Sequence, residues 1–374
     1  MAQPIIHRLH DPNGPKISRL RKAAMNDLGY RIKKTRNESR RVITEFLDSH
    51  LVGTKQVNSS GVGINYQKAW EDLESGELSY KDAESVFSYN ASISDVRPEY
   101  IGLFVTNRTK YLYQVEQSEI NAVDQLIARI VNQFMMDGQG LWSPQWYLNQ
   151  FIYPAWETGA SESLQSLQNI SPAVVVGQEI STEIRGLDIQ NLLMTPAYRR
   201  PIELLSSRTF NSMEGLSGDM VKDLRFILSQ SVADGISASD AAKRINAKLW
   251  PEKGGYKFRA ERIARTEINA AYRQAYLEVN DDMNENVFDK GGFKSMVMHI
   301  SALTATTRFD HASRHGSVFT SDQEAEWWSI GSNSINCLCS VTSVLVDKKT
   351  GEVLQQGLYK KALEQGEKYF AARA

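Results

Sequence analysis

The only two cysteines of the chain, Cys337 and Cys339, follow His311 and His315 in one continuous stretch, "HASRHGSVFTSDQEAEWWSIGSNSINCLCSV". Two imidazoles and two thiolates make a tetrahedral donor set for zinc. Cys-x-Cys is tighter than the spacing common in structural fingers. On a strand, residues 337 and 339 point to one face, which suits either chelation or plain burial of free thiols. A thiol with a histidine is also the minimum for nucleophilic catalysis, but "NCLCS" resembles no nucleophile elbow or cysteine-protease signature. The reading that fits best is a small folded unit closing a larger protein, with Trp327 and Trp328 supplying core area.

The neighbouring patterns supply the elements of such a unit. "SVTSVLVDKKTGEVL" alternates around an Asp-Lys-Lys-Thr-Gly turn and predicts a terminal hairpin, and "FKSMVMHI" predicts another strand. Before them lies the longest regular segment, a helix from Arg259 to about Met283. Its seam of Ala264, Ile268, Ala271, Ala275 and Val279 is small enough to admit a neighbouring helix closely. Arg262, Thr266, Asn269 and Arg273 form a polar stripe opposite, read as an interface to the following unit. Glu261 and Arg265 are spaced as an i,i+4 pair, and Glu267 has no second titratable group placed beside it in sequence for acid–base work.

The rest of the chain carries less chemistry. With 374 residues, 41% hydrophobic and 23% charged, it has the composition of a soluble protein with a sizeable core. The net charge of −1 does not single out a polyanion binder, and no apolar run is long enough to span a bilayer. No signal-peptide pattern opens the chain, so reducing, cytosolic synthesis is expected. Residues 16–51 are basic, with Arg31, Lys33, Lys34, Arg36, Arg40 and Arg41 around a helical stripe of Ile17, Leu20, Ala24 and Leu28. That face is either solvated or a surface for an acidic partner, protein or phosphate backbone. Residues 52–63 read as a loop.

A helix is expected from Ser118 to Met136, closed by "DGQG". Another opens at Ser143 and Pro144, carries Trp146, Tyr147, Phe151 and Tyr153, and breaks near Pro154. Residues 172–212 are mixed, with "PAVVVG" as a short strand. Leu216–Val232 is helical with Val221, Leu224, Leu228 and Val232 on one face, ended by Gly235, and Ser237 or Ser239 caps a further helix.

"ERIARTEINAA", then "SALTATTRFDHASRHGSVF", then "INCLCSVTSVLV" resembles the phage Mu protein F-like family of minor head, or head-morphogenesis, proteins. Its motif maps onto Arg265, Thr266 and Glu267, onto Thr307, Arg308, His311 and Gly316, and onto Cys337 and Cys339; Leu338 stands where the family commonly has arginine. The resemblance covers about residues 215–345. It implies an α-rich, α+β structural protein rather than an enzyme, with an extended helical N-terminal and central region before a small C-terminal α+β domain. The expected division is 1–115 (arm, mainly helical), 116–285 (helical core), 286–350 (α+β domain) and 351–374 (helical tail). The family implies the virion head as location, after synthesis in the host cytoplasm. Its implied partners are the portal protein, scaffold or major capsid protein, and double-stranded DNA, with no membrane. Two rivals remain. One is a DNA-binding accessory protein. The other is an effector enzyme delivered with phage DNA, since Glu324-x-Glu326 has the spacing of arginine-directed ADP-ribosyltransferases, although that fold's upstream arginine strand and Ser-Thr-Ser strand are not apparent.

Overall fold

A computed structural model describes residues 13–87, 96–136, 145–170, 188–193, 195–288 and 292–373. The expected starts at Ser143 and Pro144, the "DGQG" stop and the "PAVVVG" strand lie outside these. The chain forms two compact units. One comprises the chain up to Arg40, Asp124–Arg225 and Arg244 onward; the other is Arg41–Val123 with Phe226–Lys243.

The basic segment is helix α1, Gly14–Ser49. Ile17, Ala24, Leu28 and Ile32 are fully buried along one stripe, and Arg21 is buried in it where Leu20 was expected. In the smaller unit, Leu51–Ile64 is strand β1, where a loop was expected. After helices α2 (Tyr66–Ser75) and α3 (Tyr80–Phe87), strand β2 (Ile101–Tyr113) pairs antiparallel along its full length. The glycines and serines of β1 have weak strand preference, but a long partner ladder satisfies their backbone groups.

Helix α4 is Gln117–Met135, and the division between the two units falls within it in sequence. In the larger unit, helix α5 (Gln145–Tyr147) passes through a π turn, Leu148–Ile152, into helix α6, Tyr153–Ile170. The expected break at Pro154 is therefore absent. The widened turn absorbs the residue that lacks an N–H and crowds the preceding carbonyl. After the short helix α7 (Ile189–Leu193), helix α8 runs from Pro196 to Asp234, starting well before the expected Leu216. Ser237 caps helix α9, Ala238–Leu249, its Oγ accepting from Asp240 N at 3.0 Å.

Helix α10, Gly255–Met283, buries the whole expected seam. Its neighbour is α6, where Gly159 sits so close that an added Cβ would lie 2.1 Å from the Tyr272 carbonyl oxygen. A three-stranded antiparallel sheet follows: β3 (Phe293–Ile300) lies between β4 (Val318–Phe319) and β5 (Ser340–Asp347). Short helices α11 (Phe309–Ser313) and α12 (Ser321–Ser329) flank β4 in sequence. Beyond the turn, the expected second hairpin arm reduces to one bridge, Val346 to Val353. Helix α13, Gln356–Ala371, follows and buries Leu358 and Ala362 against Met298, Ile300, Val344 and Val346. Both faces of the sheet are thus covered. The architecture is α-rich α+β, and among the described residues no helix is long and apolar enough to cross a membrane.

Candidate functional site

The polar stripe of α10 grips the Cys-x-Cys segment by its backbone. Thr266 Oγ1 accepts from Asn336 N at 3.0 Å, and Asn269 Nδ2 donates to the Cys337 carbonyl at 2.7 Å. Arg273 Nη1 donates to the carbonyls of Cys337 and Cys339 at 3.3 and 3.2 Å, with its guanidinium over the Trp328 ring. Arg265 reaches Asn336 Oδ1, Arg21 holds Asn269 Oδ1 from α1, and Arg262 stays exposed. Asn336 has φ +54°, a conformation that asparagine tolerates better than most side chains. The carbonyls of Cys337 and Cys339 thus take donors from a helix distant in sequence, and Asn13 Nδ2 donates to that of Leu338 at 2.7 Å.

The second motif block closes the same loop from the other side. Arg308 donates to the carbonyls of Ser332 (2.8 Å) and Asn333 (3.0 Å), and Thr307 Oγ1 accepts from Thr304 N. His311 is buried with Nδ1 at 3.4 Å from Cys337 Sγ and 3.5 Å from Cys339 Sγ. Gly316 has φ +81°, and a Cβ there would press on Leu363 of α13 at 3.2 Å.

His315 does not join the sulfurs. Its Nδ1 accepts from Ser301 N at 3.0 Å and its ring lies near Gly366, so the expected four-donor set becomes His311, Cys337 and Cys339. Four residues beyond His311, the chain has left the short helix α11, and the two rings no longer share a face. Burial, reinforced by the charge of His299, pushes the His315 imidazole down to about 4. The thiols behave as a pair. A hydrogen bond from Cys339 holds the Cys337 thiol well below its ordinary value, burial opposing and the Arg273 charge assisting; the same bond pushes Cys339 up.

Glu324 and Glu326 do not converge. Ser321, Glu324 and Trp328 share the buried face of α12, while Glu326 is exposed. Glu324 is fully buried, its carboxylate held by His299 Nδ1 and Arg314 Nη2. Burial alone would raise this carboxyl, but the bonds and charges of His299 and Arg314 outweigh it and leave it below the usual range. This triad was not singled out from sequence. The usable signal was the Thr320-x-x-Gln323 capping box, which sets the helix phase and turns Glu324 toward Trp328. Glu267, which seemed to lack a titratable neighbour, pairs with Arg208 at 2.8 Å, a residue remote in sequence.

Two cavities flank the site. One of about 300 Å³ is lined by Arg208, Arg273, Asp281, Asp322 and Trp328, among others. One of about 60 Å³ is lined by Thr304, Thr307, Arg308, His311 and both cysteines. On α1, Lys33, Lys34, Arg40 and Arg41 are exposed and Arg36 is half-buried. Arg31 is used internally: it stacks on Trp146 at 3.6 Å and bonds Asp27 and the Phe134 carbonyl.

These features define an α-rich α+β protein in which the polar stripe of α10 joins that long helix to the loop entering the sheet, and Arg308 braces the same loop. Residues 222–342 match the family described as Phage Mu protein F like protein. Over that stretch the chain is similar to this bacteriophage family. No curated protein and no solved structure matches it.

Proposed function

We propose that the chain is a minor head protein acting in head morphogenesis, carried in the virion and bound at the portal vertex inside the head. The observation that carries this reading is the family match over residues 222–342, which coincides with the helix-to-loop junction described above. A structural role is further supported by how Arg265, Thr266, Glu267 and Arg308 are engaged: each bonds another part of the same unit. The Glu-x-Glu pair points in divergent directions, which weighs against an ADP-ribosyltransferase-like effector. The exposed cations of α1 are the face offered to the partner.

Co-expression of the full chain with the portal protein of the same phage tests this. Recovery of the chain on assembled portal rings is expected. Its absence from both rings and heads would sink the reading. A gel-shift titration against double-stranded DNA across salt separates the DNA-accessory reading: a shift persisting at physiological salt, falling steeply as salt rises, favours DNA over the portal. Recovery on scaffold or major capsid protein instead would move the contact away from the portal.

A further inference from the structure

We propose that His311, Cys337 and Cys339 bind a zinc ion that ties helix α11 to the loop entering β5. The donor atoms of these three buried residues all lie within 4.8 Å of one another. Zinc takes sulfur at about 2.3 Å and nitrogen at about 2.0–2.1 Å, so a tetrahedral nitrogen–sulfur edge spans about 3.5 Å. The two observed separations from His311 Nδ1 are 3.4 and 3.5 Å. One imidazole and two thiolates form a soft donor set that suits zinc over magnesium or calcium.

The surroundings are those of a supported site. Cys339 N donates to Cys337 Sγ at 3.3 Å, and Cys339 Sγ lies 3.6 Å from Ser301 Oγ. Arg273 and Asn269 fix the loop by its carbonyls, so both sulfurs are held without metal being needed to gather them. The fourth corner opens onto the cavity of about 60 Å³ lined by Thr304, Thr307 and Arg308, which leaves it to a water molecule. Binding replaces the thiol protons and leaves a neutral zinc–dithiolate, a charge state compatible with burial.

The experiment is metal analysis of the full chain, purified under reducing conditions, stripped with chelator and then saturated with zinc. About one zinc per chain is expected, falling to near zero in His311→Ala and in the Cys337→Ser/Cys339→Ser double variant. His315→Ala is expected to keep the full amount, because that ring faces Ser301. Cobalt substitution should give a thiolate charge-transfer band and the intense visible bands of four-coordinate cobalt. Alkylation of the wild-type thiols is a readout that does not depend on a variant folding, and it should slow roughly tenfold or more when zinc is added. A folded wild-type chain that takes up no zinc, zinc retained by the double variant, or thiols unprotected by zinc would each overturn the proposal and leave the pair as ordinary core thiols.

Discussion

At the residue scale, burial has turned ionisable groups into structural parts. Fully buried Glu324 balances the partly exposed Arg314 and hydrogen-bonds the buried His299, so removing the carboxylate leaves a largely desolvated cation without its counter-charge. Glu324→Ala should cost about 3–5 kcal/mol, read as a lowered denaturation midpoint. His315 gives a pH signature. Its folded-state value lies near 4, below the ordinary 6.5, so the unfolded chain takes up the proton first. Stability should be unaffected above 6.5 and decline as pH falls from there towards 4, by on the order of 3 kcal/mol. Glu324 works in a lower window: its depressed carboxyl contributes above the unfolded carboxylate value and is lost as pH drops through its own. Urea melts at stepped pH, with chelator present, separate the two. In His315→Gln the upper decline should vanish and the lower one remain.

At the scale of elements, two glycines set how closely helices approach. Gly159 lets α6 lie directly on the backbone of α10. Gly159→Ala forces the helices apart and should cost about 1–3 kcal/mol, or more if the pair cannot separate, measured by thermal melting. Gly316 combines a left-handed backbone with contact on α13, so Gly316→Ala should destabilise by about 1–2 kcal/mol. The seam on α10 was readable because its period of three and four residues is set by the chain itself. Gly159 was not, since a glycine inside a helix says nothing about which backbone it meets. The π turn before Pro154 and the strand made from residues 51–64 escaped for the same reason: each depends on partners that local preference does not contain.

At the scale of the whole molecule, the α1 cations divide into two kinds. Replacing Lys33, Lys34, Arg40 and Arg41 with glutamine should leave the melting temperature nearly unchanged while reducing recovery on portal rings, since these groups are exposed. Arg31→Ala should instead destabilise by about 1–2 kcal/mol, through loss of the Trp146 stack and the Phe134 carbonyl bond. If the quadruple variant still joins portal rings as the wild type does, the basic face is a solvated surface and the portal contact lies elsewhere.

The sequence by itself determined the helical character of the chain, the alanine seam and polar stripe of α10, the strands at Phe293 and Ser340, and the order of motif blocks that marks the Mu protein F-like region. Those are periodic or local signals, written by spacing along one chain. Tertiary structure alone decided that His311 and not His315 meets the sulfurs, that Glu324 is buried under Arg314 while Glu326 faces solvent, and that Arg208 partners Glu267. Each of those outcomes depends on groups distant in sequence arriving within a hydrogen bond's reach, and the cost of leaving a buried polar atom unpaired then fixes which ones stay.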